Sequence, residues 1–111
     1  MATAYQREEV AGDPVKSELS ARIDQLDRDF RLLSLGEVGR RVDTFRNLAR
    51  RHGYEPASRL AGGLGDALAR DGRAAMIRPY LNGMREAIGC DPNDRSAGDA
   101  LLASISVRLI G

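Results

Sequence analysis

The chain is poor in the residues that most often carry chemistry. Among its 111 residues stand one cysteine, Cys90, and one histidine, His52, and aromatics make up only 5%. A single cysteine cannot close an internal disulfide, so the fold needs no oxidising compartment. One histidine and one cysteine cannot furnish the ligand set of an ordinary zinc site, and no metal is expected. Charge of one sign is lacking too: 17 basic side chains face 16 acidic ones, for a net charge of +1. Binding driven by a large overall charge is thereby excluded, and only a local patch can act on a charged partner. No apolar run approaches the roughly 20 residues of a membrane span. The opening Met1-Ala-Thr-Ala-Tyr-Gln-Arg-Glu-Glu has no apolar stretch of the kind a signal peptide carries. A cytoplasmic protein without membrane contact is the expectation. Phosphate-loop, dinucleotide, HExxH and GxSxG motifs are all missing. No cofactor is expected, and an enzyme is the least supported class.

Hydrophobic residues nevertheless reach 42% and charged residues 30%. At this length that suffices for one core and predicts one domain. The β-branched and aromatic alternation of a sheet is absent, as is any internal repeat. Helical periods run through the chain instead. Residues 1–14 carry no sustained period, and Gly12-Asp13-Pro14 is a turn signal. A loose N-terminal arm is expected there, with a single helical domain over 15–111. Leu19, Ile23, Leu26, Phe30 and Leu33 fall on one face and predict a helix over Ser17 to Leu33. Ser34, with Glu37 following at capping-box spacing, opens a second. Its stripe is Leu35, Val38, Val42, Phe45 and Leu48/Ala49, and Gly53 ends it near Arg51-His52.

Pro56 suits the first turn of a third helix, with Leu60, Leu64 and Leu68 as its stripe and Asp71-Gly72 at its end. Gly62, Gly63 and Gly65 lie inside that helix. Each costs roughly 1 kcal/mol against alanine, which points to close helix–helix approach or to a weak helix. A fourth stripe runs through Ile77, Leu81, Met84 and Ile88, closed by Gly89. After a loop from Cys90 to Arg95, Ser96 with Asp99 repeats the capping pattern. Leu101, Leu102, Ile105 and Leu109 outline a final helix, with a strand as the alternative. The whole predicts an all-α antiparallel four-helix bundle with an extra C-terminal helix.

With the second stripe inward, Arg40, Asp43, Thr44, Asn47, Arg50 and Arg51 face outward. Over residues 40–51, five arginines stand against Asp43 alone. A solvated face or an acidic protein partner accounts for such a patch. Nucleic acid is disfavoured, because overall charge is near neutral and no aromatics interleave. Asp43 sits midway along the helix, with Arg40 and Arg46 at helical neighbour distance. His52 reads as a helix-end residue helped by the dipole, and Cys90 as a small apolar residue at the bundle end.

The layout of residues 19–88 resembles a histidine-containing phosphotransfer (HPt) domain. Members of that family are small helical bundles with a phosphoacceptor histidine exposed midway along one helix, in a pattern close to His-x-Leu-Lys-Gly. Here Phe45 takes the leucine position, Arg46 the lysine, Asn47 the glycine and Gly53 the helix-ending glycine. Asp43 stands where the histidine would be. The run from Ala57 to Gly72 is similar to the family's third helix and following turn. The resemblance implies an HPt-like bundle, and the substitution implies a silent relay. Transfer needs an imidazole nitrogen to attack an acyl phosphate. A carboxylate beside an acidic receiver pocket is a poor replacement. The expectation is a non-catalytic interaction module of a bacterial two-component system. It would dock to a response-regulator receiver or a histidine kinase through Arg40, Asp43, Arg46, Asn47 and Arg50. The alternatives are a genuine phosphorelay protein using His52, a nucleic-acid-binding domain, and an oligomerisation domain. In the last, Leu101, Leu102, Ile105 and Leu109 pack against a second copy in a homodimer.

Overall fold

A computed structural model describes residues 14–72, 74–90 and 94–110 of the chain. Five helices account for nearly all of them: α1 (Pro14–Asp29), α2 (Leu35–Arg51), α3 (Glu55–Arg70), α4 (Ile77–Ile88) and α5 (Arg95–Ile110). Among the described residues there is no strand. Residues 1–13, which hold nearly all of the expected arm, lie outside the described residues, as do loop positions 91–93. α1 opens at Pro14, three residues before the predicted Ser17. Proline is suited to that first position because the missing N–H has no helical partner to lose. The helix tightens into a 3-10 turn at Phe30–Leu32.

The helix boundaries have identifiable chemical causes. Ser34 Oγ accepts a hydrogen bond from Glu37 N at 3.1 Å and caps α2. At the other end Gly53 adopts φ 82°. Gly53 N donates to Arg50 O and Tyr54 N donates to Ala49 O, at 3.2 and 2.8 Å. That pair of bonds is a Schellman closure, and it turns the chain directly into α3. Gly72, at φ 65°, follows the end of α3 in the same left-handed region.

α2 and α3 run antiparallel: the Leu35 side chain lies over Gly72 and the Arg46 stem over Gly62. α3 and α4 are antiparallel as well, with Leu60 beside Gly83 and Tyr80 beside Gly63. α5 lies along α3 in the same direction, since Arg59 pairs with Asp99 and Gly63 meets Leu102. The core collects Leu19, Ile23, Leu26 and Phe30 from the α1 region, Val38, Val42, Phe45 and Ala49 from α2, and Leu60 and Leu64 from α3. Ile77, Leu81, Met84 and Ile88 come from α4, and Ile105 from α5.

Three expectations are corrected. Leu35 is 47% exposed rather than inward, because it is the first residue of α2 and folds over Gly72 at the rim. The cap of α5 is Asp94 and not Ser96: Asp94 Oδ1 accepts from Ser96 N at 3.1 Å and from Ser96 Oγ at 2.7 Å. Asp99, the other half of the expected pattern, is engaged by Arg59 instead. The final segment is a helix, so the strand alternative falls. Ile105 is buried and Leu101 and Leu102 are partly buried, while the side chain of Leu109 lies outside the described residues.

The interior glycines divide by purpose. A Cβ on Gly63 would stand 2.6 Å from Leu102 Cδ2, and one on Gly83 would stand 2.8 Å from Ile105 Cδ1 and 3.1 Å from Leu60 Cδ1. These two admit close approach between helices. A Cβ on Gly65 would meet nothing within 4 Å. Gly83→Ala is therefore expected to cost about 1–3 kcal/mol by overpacking, whereas Gly65→Ala gains about 0.5–1 kcal/mol from helix propensity. Urea unfolding of the two variants distinguishes these outcomes.

α1 is tied to α4 by charge as well as by apolar contact. Arg85 Nη2 lies 3.0 Å from both Asp24 Oδ1 and Asp27 Oδ2, and Arg78 Nη2 lies 3.1 Å from Asp27 Oδ1. Arg78 also reaches over the Phe30 ring, 5.7 Å from its centroid. Desolvation pushes the Asp27 carboxyl up. The hydrogen bond from Arg85 and the charges of Arg78 and Arg85 together outweigh it and hold the group below its ordinary 3.8. A depressed carboxyl stabilises the fold above its unfolded value, and that stabilisation is lost as pH falls through the folded value. Asp27→Asn is thus expected to lower stability at neutral pH, with the difference from wild type closing below pH 3.8. Urea unfolding at neutral pH and in strong acid measures it.

Candidate functional site

The outward face of α2 follows from the inward one. Val38, Val42, Phe45 and Ala49 are each no more than 2% exposed, which turns Arg40, Asp43, Asn47 and Arg50 to the opposite side of the helix. Asp43, Arg40 and Arg50 are exposed, while Arg46 and Asn47 are half-buried at the flank. Asp43 lies mid-helix, and its Oδ1 accepts from Arg46 Nη2 at 3.1 Å. Asn47 Oδ1 accepts from Arg50 Nη2 at 3.3 Å. The structure therefore joins four of the five predicted residues into two neighbouring pairs. Arg40 stands apart from them. Its Nη2 donates to Glu37 Oε1 at 2.5 Å, one turn back. That hydrogen bond and the Arg40 charge hold the Glu37 carboxyl below its ordinary range.

Arg46 is more than a surface cation. Its stem lies along α3, with Cδ 3.7 Å from where a Cβ on Gly62 would be. Its Nε is buried with no hydrogen-bond partner. The guanidinium is thereby laid across the seam between α2 and α3 and steered by Asp43. A groove of about 370 Å³ opens there, with Asp43, Arg46 and Asp66 on its walls and Gly39, Gly62 and Gly65 leaving its floor bare. A Cβ on Gly39 would also meet nothing within 4 Å. Reasoning from the sequence did not find Asp66 or Gly39. Gly39 carried a signal only as a helix-interior glycine with open space around it, and Asp66 carried none.

His52 is exposed and caps the C-terminal end of α2, away from the mid-helix position of Asp43. Cys90 follows the end of α4, and its Sγ donates to Glu86 O at 3.5 Å. Among the described residues no group of three or more His, Cys, Asp or Glu side chains could hold a metal ion. Nor is any described helix long and apolar enough to cross a membrane. Chemically, the face offers one carboxylate flanked by guanidinium groups, hydrogen-bond donors to spare, and a bare groove alongside. The chain matches no protein-family model, no curated protein and no solved structure.

Exposed pairs of this kind contribute little to stability. Asp43→Ala is expected to change the unfolding free energy by no more than about 0.5 kcal/mol. Urea denaturation checks this, and the result decides whether the face can be altered without damaging the fold.

Proposed function

We propose that this chain is an HPt-like docking module, in which α1 to α4 form a four-helix bundle and the α2–α3 face binds a response-regulator receiver or a histidine kinase without accepting a phosphoryl group. The observation that carries the reading is Asp43: an exposed carboxylate midway along α2, on an antiparallel pair with α3, flanked by Arg46. In the HPt layout that position belongs to the acceptor histidine. A carboxylate there would only exchange one acyl phosphate for another, next to an acidic pocket that repels it. The surrounding arginines suit the same acidic pocket as a surface to dock against. Electrostatic attraction of that sort speeds encounter and fixes orientation, and it weakens with salt. The glycines beside Asp43, Gly39 and Gly65 above all, let a partner element come close to the α2 and α3 backbones. His52 is less suited to the relay role, because it caps a helix end and lacks the mid-helix setting.

The test is incubation with a panel of phosphorylated receiver domains and histidine-kinase dimerisation domains. The chain is expected to form a salt-sensitive complex with a member of the panel, with amide shifts confined to α2 and α3 and no acid-labile phosphate on the chain. Arg46→Glu combined with Arg50→Glu is expected to weaken that complex at least tenfold. Asp43→His combined with Asn47→Gly is expected to introduce an acid-labile phosphate. A phosphate on His52 of the wild type, or no binding to any of these domains, would overturn the reading.

A further inference from the structure

A second opening lies on the other side of α2. It is a slot of about 280 Å³ between α1 and α2, away from the α3 seam. Its floor is apolar: Ile23 and Leu26 from α1, Phe45 from α2 and Met84 from α4. Its rim carries three guanidinium groups, those of Arg22, Arg40 and Arg41. Between them the mouth is edged by the neutral Thr44 and Gln25 and by the carboxylate of Glu37.

The rim arginines are held in place but not used up. Arg22 engages Glu18 through Nε alone, at 2.9 Å. Arg41 reaches Asp29 through Nη1 at 3.2 Å and Glu37 through Nε at 3.7 Å. Arg40 meets the other oxygen of Glu37 through one Nη2. A guanidinium presents five N–H donors in a fixed fork, so each of the three has donors left for a further acceptor. Both oxygens of Glu37 are taken by Arg40 and Arg41, and Glu37 is the one anionic residue of the slot lining. An apolar trough with a cationic edge matches a molecule with an apolar body and one planar anionic head. The volume sits just below the roughly 300–1,000 Å³ of drug-sized pockets, so the body must be small.

We propose that the slot between α1 and α2 is a binding site for a small amphipathic carboxylate, its apolar body over Ile23, Leu26, Phe45 and Met84 and its head held by the rim arginines. This site does not rest on the docking reading: its floor and the rim arginines Arg22 and Arg41 lie on the α1 side of α2, and Arg40 alone is common to both surfaces. A forked carboxylate contact is what arginine recognises best, and burial of the apolar tail supplies the remaining affinity.

The probe is sodium decanoate, titrated below its micelle-forming concentration into the isotope-labelled full chain and followed by NMR. The expected result is a saturable shift confined to residues around Ile23, Leu26, Thr44 and Phe45. Decan-1-ol, which has the same body without the charge, is expected to bind at least tenfold more weakly. Thr44→Trp fills the mouth from an exposed position and is expected to abolish the shift with helicity by circular dichroism unchanged. Arg22→Glu is expected to weaken decanoate at least tenfold while leaving decanol unaffected. Equal binding of decanol and decanoate, shifts spread over the whole surface, or undiminished binding by folded Thr44→Trp would each overturn the proposal.

Discussion

The fold depends on how little side chain α3 carries. Ala57, Ala61, Ala67 and Gly63 keep its surface shallow, and Leu60 and Leu64 supply the apolar bulk between them. A helix so trimmed can be approached from three sides, and α2, α4 and α5 all pack against it. Several tight approaches fall on glycine. Leu102 of α5 sits over Gly63, and Ile105 of α5 over Gly83 of α4, while Gly98 of α5 receives the Arg59 stem. Protein interiors are packed densely enough that one added methyl at such a point must displace a neighbour. The seam of α3, α4 and α5 therefore relies on glycine at its tightest points, Gly63 and Gly83, while α2 lies along α3 over the longest stretch of close approach in the fold.

α1 is held by different means. It meets α4 through a ladder of Asp24, Arg85, Asp27 and Arg78 that ends on the Phe30 ring. Arginine suits this role because one planar fork can bridge two carboxylates at once, as Arg85 does. The ladder draws α1 toward α4 and has no counterpart of that extent along α2, where Arg41 and Asp29 form the cross-link. Both openings lie along α2, one against each neighbour. On the α3 side bare glycines leave room, and on the α1 side the gap is bounded by long cationic side chains. Neither groove requires a strained backbone. The slot is what remains because α1 packs more against α4 than against α2, and the groove is what glycine leaves bare along the extensive α2–α3 contact.

Much of this was legible in the linear chain, for a physical reason. Spacings of three and four residues report directly on which side of a helix is inward, and the stripes of α1, α2 and α4 are buried as their periods predict except at Leu33 and Leu48, which are partly buried, and Leu35, which is exposed. Local stop and start signals were legible too: the Ser34 cap and the left-handed Gly53 and Gly72 depend only on neighbours in sequence. The exposed mid-helix place of Asp43 followed from the same arithmetic. What could not be read was which helix meets which. Nothing local distinguishes Gly63, against Leu102, from Gly65, which has open space, although they are two residues apart. Nothing local assigns Asp27 to Arg78 and Arg85, dozens of residues away. Leu35 misled because periodicity ignores the fact that a terminal turn has less structure around it. At α5 two capping residues competed within three positions, and Asp94 won because its carboxylate reaches both the N–H and the hydroxyl of Ser96.

Arg40 belongs to both surfaces of α2. It lies on the outward face with Asp43 and Arg50, and it also forms part of the α1–α2 rim. Its one anionic partner, Glu37, is shared with Arg41, whose other contact is Asp29 at the end of α1. These four residues form a single chain of charge from the outward face of α2, along the rim of the slot, to the end of α1. A carboxylate in the proposed slot site would draw on the Arg40 donors that Glu37 leaves free. Whatever it takes from Arg40 is no longer offered to an acidic partner outside. Linkage requires the converse in equal measure: a partner that engages Arg40 must weaken the slot's hold on its ligand by the same factor. The two proposed sites are therefore expected to oppose each other, through their shared use of Arg40 and without any movement of the helices.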